Sequence, residues 1–255
     1  MNQNIRFEML IGPEGLEKLR RARVAVFGLG GVGGYAVEAL ARAGIGALDL
    51  IDNDRIAPSN LNRQIIALHS TVGQTKVEAA AARVRDINPA IRVQTFQTFY
   101  LPDTGAQFDF SAYDYVVDCI DTVTAKLALV LRCRDVGTPI ICALGTGNKL
   151  DPSKLELADV YDTAVCPLAR IMRRELRRRG VKRLQVVYSR EAPLSPLFQP
   201  EPEPTQTPSP DAPEAYGNQR RAVPGSSPFV PPAAGLMIAS AVVRELLGIA
   251  ARNKQ

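Results

Sequence analysis

Near the start of this 255-residue chain an apolar run breaks directly into glycines, and few folds accept that arrangement. Val24-Ala25-Val26-Phe27 reads as a buried strand, and Gly28-Leu29-Gly30-Gly31-Val32-Gly33-Gly34 follows without a spacer. Gly28, Gly30 and Gly33 satisfy G-x-G-x-x-G between a strand and a helix. Such a turn needs backbone angles that a side chain forbids. The helix that it opens, Tyr35 to Ala43, aims amide N–H groups at phosphate. A second strand, Ala47-Leu48-Asp49-Leu50-Ile51, closes on Asp52-Asn53-Asp54. Strand, glycine turn, helix and strand predict the first unit of a Rossmann-like fold. Taken alone, the same residues also describe a tight turn with no ligand.

The chain beyond it keeps the alternation. Gly12 to Arg21 reads as a short helix, Thr75 to Asp86 as an Ala-rich helix stopped by Asn88-Pro89, and Ile91 to Phe96 as a strand. Tyr115 to Ile120 and Pro139 to Leu144 are buried strands around a helix from Thr122 to Val136. This pattern predicts an α/β fold with a mostly parallel sheet flanked by helices. Residues 1–150 form the nucleotide-binding half of a single domain over 1–255. The half over 151–255 adds antiparallel pieces: strands at Lys154 to Tyr161 and Leu184 to Ser189, a basic helix over 167–179, and a final buried helix from Ala233 to Leu247. Between them, Pro193 to Pro232 holds twelve of the 19 prolines. The segment 193–228 is expected to be a surface loop, because Gln199 to Glu214 has almost no apolar side chain with which to pack.

An apolar content of 46% suffices for a core, and no run of about 18 uninterrupted apolar residues suggests a membrane span. Cys119, Cys133, Cys142 and Cys166 make no C-x-x-C pair, which argues against structural zinc and for a reducing cytoplasm. A net charge of +5 is modest, so its location matters more than its sum.

Two cations separate this chain from a nicotinamide enzyme, for which no acid/base pair is visible. Arg63, in Ser59-Asn60-Leu61-Asn62-Arg63-Gln64, and Lys76, in Gly73-Gln74-Thr75-Lys76, follow the second strand. Each alone could be a solvated surface charge. Together they suit nucleotidyl transfer, in which charge builds on the α-phosphate and on departing pyrophosphate. Arg63 offers a bidentate clamp and Lys76 a point charge. Asp52 stands where an acid accepts hydrogen bonds from a ribose, or where a carboxylate caps a turn, and Asp54 reads as the turn residue. Asp121 follows a buried strand and should emerge over the crevice, where an aspartate can hold Mg²⁺ against phosphates.

These motifs, with the Asp118-x-x-Asp121 pair, occur in order over most of Arg6 to Leu157 and resemble the ThiF/MoeB/HesA family, which includes the ubiquitin-activating-type adenylating enzymes. The resemblance implies an ATP site made by Gly28, Gly30, Gly31, Gly33, Asp52, Asp54, Asn60, Arg63, Gln64 and Lys76. It gives Asp52 the ribose, Asn60, Arg63 and Lys76 the phosphates, and Asp121 the Mg²⁺. Arg6 matches the position from which members send an arginine into the partner's site, so a homodimer is implied.

Later residues resemble one branch. Ala143-Leu144-Gly145-Thr146-Gly147-Asn148, the run from Cys166 to Gly180, Val186 to Glu191 and Gly225 to Pro231 are similar to the tRNA threonylcarbamoyladenosine dehydratases. That branch adenylates the carboxylate of a threonylcarbamoyl group on a tRNA adenosine. An atom of the same modified base then closes a ring and expels AMP, so no protein thiol is needed. The alternative within the family is an adenylyltransferase that charges a ubiquitin-like sulfur carrier and works with a sulfur-transfer protein. A third reading, a scaffold without activity, fits poorly with intact Arg63, Lys76 and Asp121.

Charge supplies a separate argument for RNA. From Arg170 to Arg183 there are eight Arg or Lys and one acid, Glu175. Arg170, Arg173, Arg174, Arg177 and Arg178 can form a phosphate-binding face, or simply the solvated side of an amphipathic helix. His69, the single histidine, reads as a cap or packing residue near the nucleotide loop, and Cys166 as a helix-entry packing residue rather than an acceptor thiol.

Overall fold

Seven strands form one sheet in the order β3-β2-β1-β4-β5-β7-β6. They are β1 (Arg23–Phe27), β2 (Ala47–Ile51), β3 (Arg92–Phe96), β4 (Tyr115–Asp118), β5 (Ile140–Ala143), β6 (Leu155–Asp159) and β7 (Gln185–Ser189). The computed structural model describes residues 3–101, 103–199 and 223–249. All pairings are parallel except β6 with β7. The sheet thus has the expected parallel body with an antiparallel edge. Helices α1 (Ile5–Arg21), α2 (Gly33–Ala43), α3 (Lys76–Ile87), α4 (Val123–Val136), α5 (Pro167–Arg178) and α6 (Val230–Leu247) flank it.

Register explains where the site lies. Phe27 is level with Ile51 on one side and with Asp118 on the other. The residues that follow, Gly28, Asp52 and Cys119 to Asp121, therefore leave the sheet at one edge. The chain moves outward from β1 through β2 to β3 and then returns to β4 beside β1. That reversal opens the crevice in which doubly wound folds bind ligands.

Central strands buried on both faces need continuous apolar runs. Val24, Ala25, Val26 and Phe27 have no exposure, and Leu48, Leu50, Val116 and Val117 match them. Each fully buried Val or Leu contributes about 1.5–3 kcal/mol. The core on one face also takes in α6, whose Ala234, Ile238 and Val242 are wholly buried. Helix α6 seats closely on the glycine turn: a Cβ on Gly235 would come within 2.3 Å of the Val32 carbonyl oxygen. By length and composition α6 could span a membrane, yet 56% of it is buried inside the protein.

Several boundaries differ from expectation. Helix α1 begins at Ile5 and breaks at Gly12 (φ 73°, ψ 167°), where Pro13 starts a new first turn. Helix α6 begins at Val230, because Pro231 and Pro232 fit a first turn that lacks intrahelical N–H bonds. Of the proline-rich segment, 200–222 lies outside the described residues. Its flanks are not a free loop: Gly225 and Asn148 exchange two hydrogen bonds, and the Leu194 N–H donates to the Asn148 carbonyl. Asn62 Nδ2 reaches the Ser226 carbonyl at 2.9 Å.

Candidate active site

At the carboxyl edge the loops enclose a cavity of about 750 Å³. Its floor is the glycine turn. A Cβ on Gly33 would sit 1.8 Å from the Gly28 carbonyl oxygen, and Gly28 itself has φ +89°. The turn therefore demands glycine at both positions. Gly30 is different, since a Cβ there would meet only Gln64 Nε2, at 4.0 Å. Its backbone is open to close approach from the cavity. The N–H groups of Gly30, Gly31 and Val32 donate to no acceptor among the described residues. These are the unpaired donors and the positive end of helix α2, a ready place for an anion.

Asp52 does the work of a turn cap. Its Oδ2 accepts from the Leu29 N–H at 2.6 Å and its Oδ1 from the Asp54 N–H at 2.9 Å, while it also lines the cavity. Burial pushes this carboxyl up, against the pull of Lys76. Lys76, the first residue of α3, is 6% exposed. Its Nζ donates to Asp54 Oδ2 at 2.6 Å and lies 3.7 Å from Asp52 Oδ1. Asp54 is thus more than the turn residue it was expected to be: it is the partner of the buried lysine.

Arg63 and Asn60 also line the cavity, Arg63 beside Gly31. Arg63 Nη1 donates to the Ser59 carbonyl and to Asn62 Oδ1, and burial pulls the guanidinium down from its ordinary value. Asn60 spends its Oδ1 on the Ala57 N–H. Gln64 is buried and its Oε1 has no hydrogen-bond partner among the described residues. Asp121 is exposed on the cavity wall beyond β4. Nine of the ten residues expected at the nucleotide, and Asp121, line this one cavity; Gly33 does not, and instead packs beneath it against the Gly28 carbonyl. Arg6 does not either: it is exposed on α1 and is not among the residues that line the cavity.

Beneath Asp121 lies a pair that sequence reasoning missed. Lys126 Nζ donates to Asp118 Oδ2 at 3.1 Å, and both residues have no exposure. Burial opposes the lysine's charge, but Asp118 outweighs it and holds Lys126 above its ordinary value. Asp118 Oδ1 also accepts from the Ile120 N–H. The loop that carries Asp121 is therefore tied to the end of β4, and Asp118 ties that end to the first turn of α4.

The rest of the cavity wall was also unread. Thr98, Phe99 and Tyr100, after β3, close it near Ile51. Across from them stand Gly145 to Lys149, Cys166 to Leu168, Pro193 and Pro224 to Ser226. Cys166 is buried, and its Sγ accepts from the Ala169 N–H at 3.4 Å as the α5 cap. Burial pushes the Cys133 thiol up to about 12 and raises Cys142 well above its usual range, so neither supplies a thiolate. His69 is exposed in a turn rather than packed.

The arginines of α5 do not act alike. Arg173 is turned back and donates to the Thr163 carbonyl at 2.8 Å, which removes it from the expected basic face. Arg177 lies over the Tyr161 ring at 5.1 Å. Arg174 and Arg178 share Glu175, although both remain exposed. Arg170 is exposed and unpaired among the described residues, one turn from the cavity wall at Pro167.

Comparison with known proteins agrees with this geometry. The chain is 40% identical over 248 residues to the tRNA threonylcarbamoyladenosine dehydratase of Bacillus subtilis, covering 97% of this chain and 95% of that one. It superimposes on the crystal structure of Escherichia coli tRNA N6-threonylcarbamoyladenosine dehydratase in complex with ATP with a TM-score of 0.82. The identity there is 32%, and the match covers 99% of this chain and 96% of that chain. The adenylyltransferase and sulfurtransferase UBA4 of Vanderwaltozyma polyspora is 38% identical, but over 54% of this chain and 31% of that protein. The profile of the ThiF family runs from residue 1 to residue 254, through the glycine turn, Lys76, Asp121 and helix α6 alike, and the chain belongs to that family.

Proposed function

We propose that this protein uses ATP to dehydrate N6-threonylcarbamoyladenosine in tRNA. The observation that carries the reading is the cavity itself: an anion cradle, Arg63, Lys76 and the carboxylate of Asp121 meet at the carboxyl edge of β1 and β4. The full-length likeness to tRNA threonylcarbamoyladenosine dehydratases supports the substrate. The sulfur-carrier reading draws on a likeness to little more than half of the chain.

In this reading the triphosphate lies on the free amides of Gly30 to Val32, with its base toward Thr98 to Tyr100 and its ribose beside Asp52. Lys76 and Arg63 neutralise charge as the substrate carboxylate attacks the α-phosphorus and the bond to pyrophosphate breaks. An atom of the modified base then attacks the activated carbonyl. The C–O bond to AMP breaks, so the carboxylate oxygen leaves on AMP and a proton is released. Holding the reacting groups together contributes the advantage of an intramolecular reaction. Among the described residues no three His, Cys, Asp or Glu side chains are grouped so as to hold a metal ion. The site fits Mg²⁺ of the kind held by one carboxylate and by phosphate oxygens, and Asp121 would be that carboxylate. Such an ion would neutralise phosphate charge.

We further infer a homodimer in which Arg6 enters the partner's cavity. Its neighbours Met9 and Leu10 are 76% and 81% exposed, as an interface segment would be in a free protomer. We read the chain as one adenylating domain acting in the cytoplasm, where tRNA and ATP meet.

The deciding experiment supplies Mg-ATP and tRNA whose threonylcarbamoyl carboxylate carries ¹⁸O. The expected result is a nucleoside lighter by one water, with ¹⁸O in AMP. Label found only in free phosphate or water would refute adenylation of that carboxylate.

The basic face makes a separate expectation. Replacing Arg170, Arg174 and Arg178 with alanine should weaken tRNA binding about tenfold or more and flatten its salt dependence by up to about three counterions. Arg173→Ala should mainly lower the melting temperature, since its bond is internal. A triple variant with wild-type affinity at every salt concentration would take RNA off this helix.

A further inference from the structure

The loop after β5 carries a second set of unpaired amides. The N–H groups of Gly145, Thr146 and Gly147 donate to no acceptor among the described residues, and all three residues line the cavity. Gly145 is left-handed (φ 58°), as is Asn148 (φ 58°) at the other end of the loop. Successive main-chain donors in such a turn form a concave anion site. The loop is held in place. Asn148 Oδ1 accepts from the Gly225 N–H at 2.6 Å, the Asn148 N–H donates to the Gly225 carbonyl at 2.7 Å, and Lys149 Nζ reaches the Ser189 and Glu191 carbonyls.

Sheet order gives this loop its meaning. Strand β4 lies between β1 and β5, so Asp121 stands between the donors after β1 and the donors after β5. Neighbouring strands are about 4.8 Å apart, which puts the two donor sets roughly 10 Å from each other. One cavity thus offers two anion sites on either side of one carboxylate. The first, with Lys76 and Arg63, has the charge that a triphosphate needs. The second has neutral donors, with Lys149 turned to carbonyl oxygens. Neutral donors suit a singly charged anion that must keep its nucleophilic character, because a full positive charge would lower its reactivity.

We propose that Gly145, Thr146 and Gly147 bind the carboxylate of the acceptor and present it to the α-phosphorus. This inference rests on the functional reading above and assigns the acceptor side of the same cavity. It makes the loop the element that tells modified tRNA from unmodified tRNA.

The test compares binding of tRNA carrying threonylcarbamoyladenosine with the same tRNA lacking that group, by fluorescence anisotropy without ATP. Thr146→Asp sets a rival carboxylate against the amides, and Thr146→Asn is its neutral isostere. The wild-type preference for modified tRNA should fall about tenfold in Thr146→Asp and change less than about twofold in Thr146→Asn. The ATP dissociation constant, measured by calorimetry, should stay within about twofold in both. An undiminished preference in Thr146→Asp overturns the proposal. So does an equal loss of ATP affinity, which would give the loop to the nucleotide phosphates. AMP formation by the wild type with modified tRNA, measured in the same series, separates either failure from a failure of the functional reading.

Discussion

Lys76→Met is expected to reduce ATP-dependent AMP formation by about 10²–10³-fold, the usual cost of losing one preorganised electrostatic contact in a water-poor site. The lysine is buried and its Nζ is held by Asp54, with Asp52 close by, so its position is set before any ligand arrives. Without its charge, two carboxylates would face each other and the incoming phosphates. Burial already pushes Asp52 up, and loss of Lys76 would push it further. Lys76→Arg should recover only part of the rate, because a planar fork does not reproduce a point charge in a closed space. Pyrophosphate release measured at saturating tRNA, normalised to the folded fraction from a melting curve, checks the expectation. Wild-type turnover in a folded Lys76→Met protein would remove the phosphate site from this wall.

Lys126→Met should have the largest effect on stability. It leaves Asp118 charged, alone and without solvent, at a cost of about 3–5 kcal/mol. For a chain of this size that lowers the melting temperature by roughly 10 °C or more. The double variant Asp118→Asn with Lys126→Met should regain most of the loss, because a neutral pair of similar volume avoids the unpaired charge. Thermal denaturation of the wild type, both single variants and the double variant gives the coupling directly. A Lys126→Met protein that melts with the wild type would mean that water reaches the pair, contrary to its burial.

The two cases show what the sequence makes legible. Gly28 to Lys76 could be read because the turn, the strand end and the cations come close together along the chain in motifs whose chemistry is local. The parallel sheet followed from apolar runs alternating with helices. Lys126 could not be read: in the first turn of a helix it resembles any solvated lysine, and only the β4–α4 connection places it under Asp121. The far wall was hidden for another reason. Pro193 and Pro224 to Ser226 flank a stretch too polar to pack, yet hydrogen bonds to Asn148 and Asn62, which leave no periodic signal, bring them to the cavity. Arg173 failed because a helical wheel gives the direction of Cβ and not the path of a long side chain. Asp54 reversed the error. Its position after Asp52 suggests local turn chemistry, while its partner Lys76 begins the next helix.

Helix α6 follows every other described element along the chain, and its Gly235 rests on the carbonyl at the rim of the phosphate turn. During synthesis the nucleotide motif leaves the ribosome early, but the surface that braces it arrives late. A nascent or truncated polypeptide would carry every signature residue and still lack a firm seat for the triphosphate. In this architecture competence to spend ATP is withheld until α6 itself has been made.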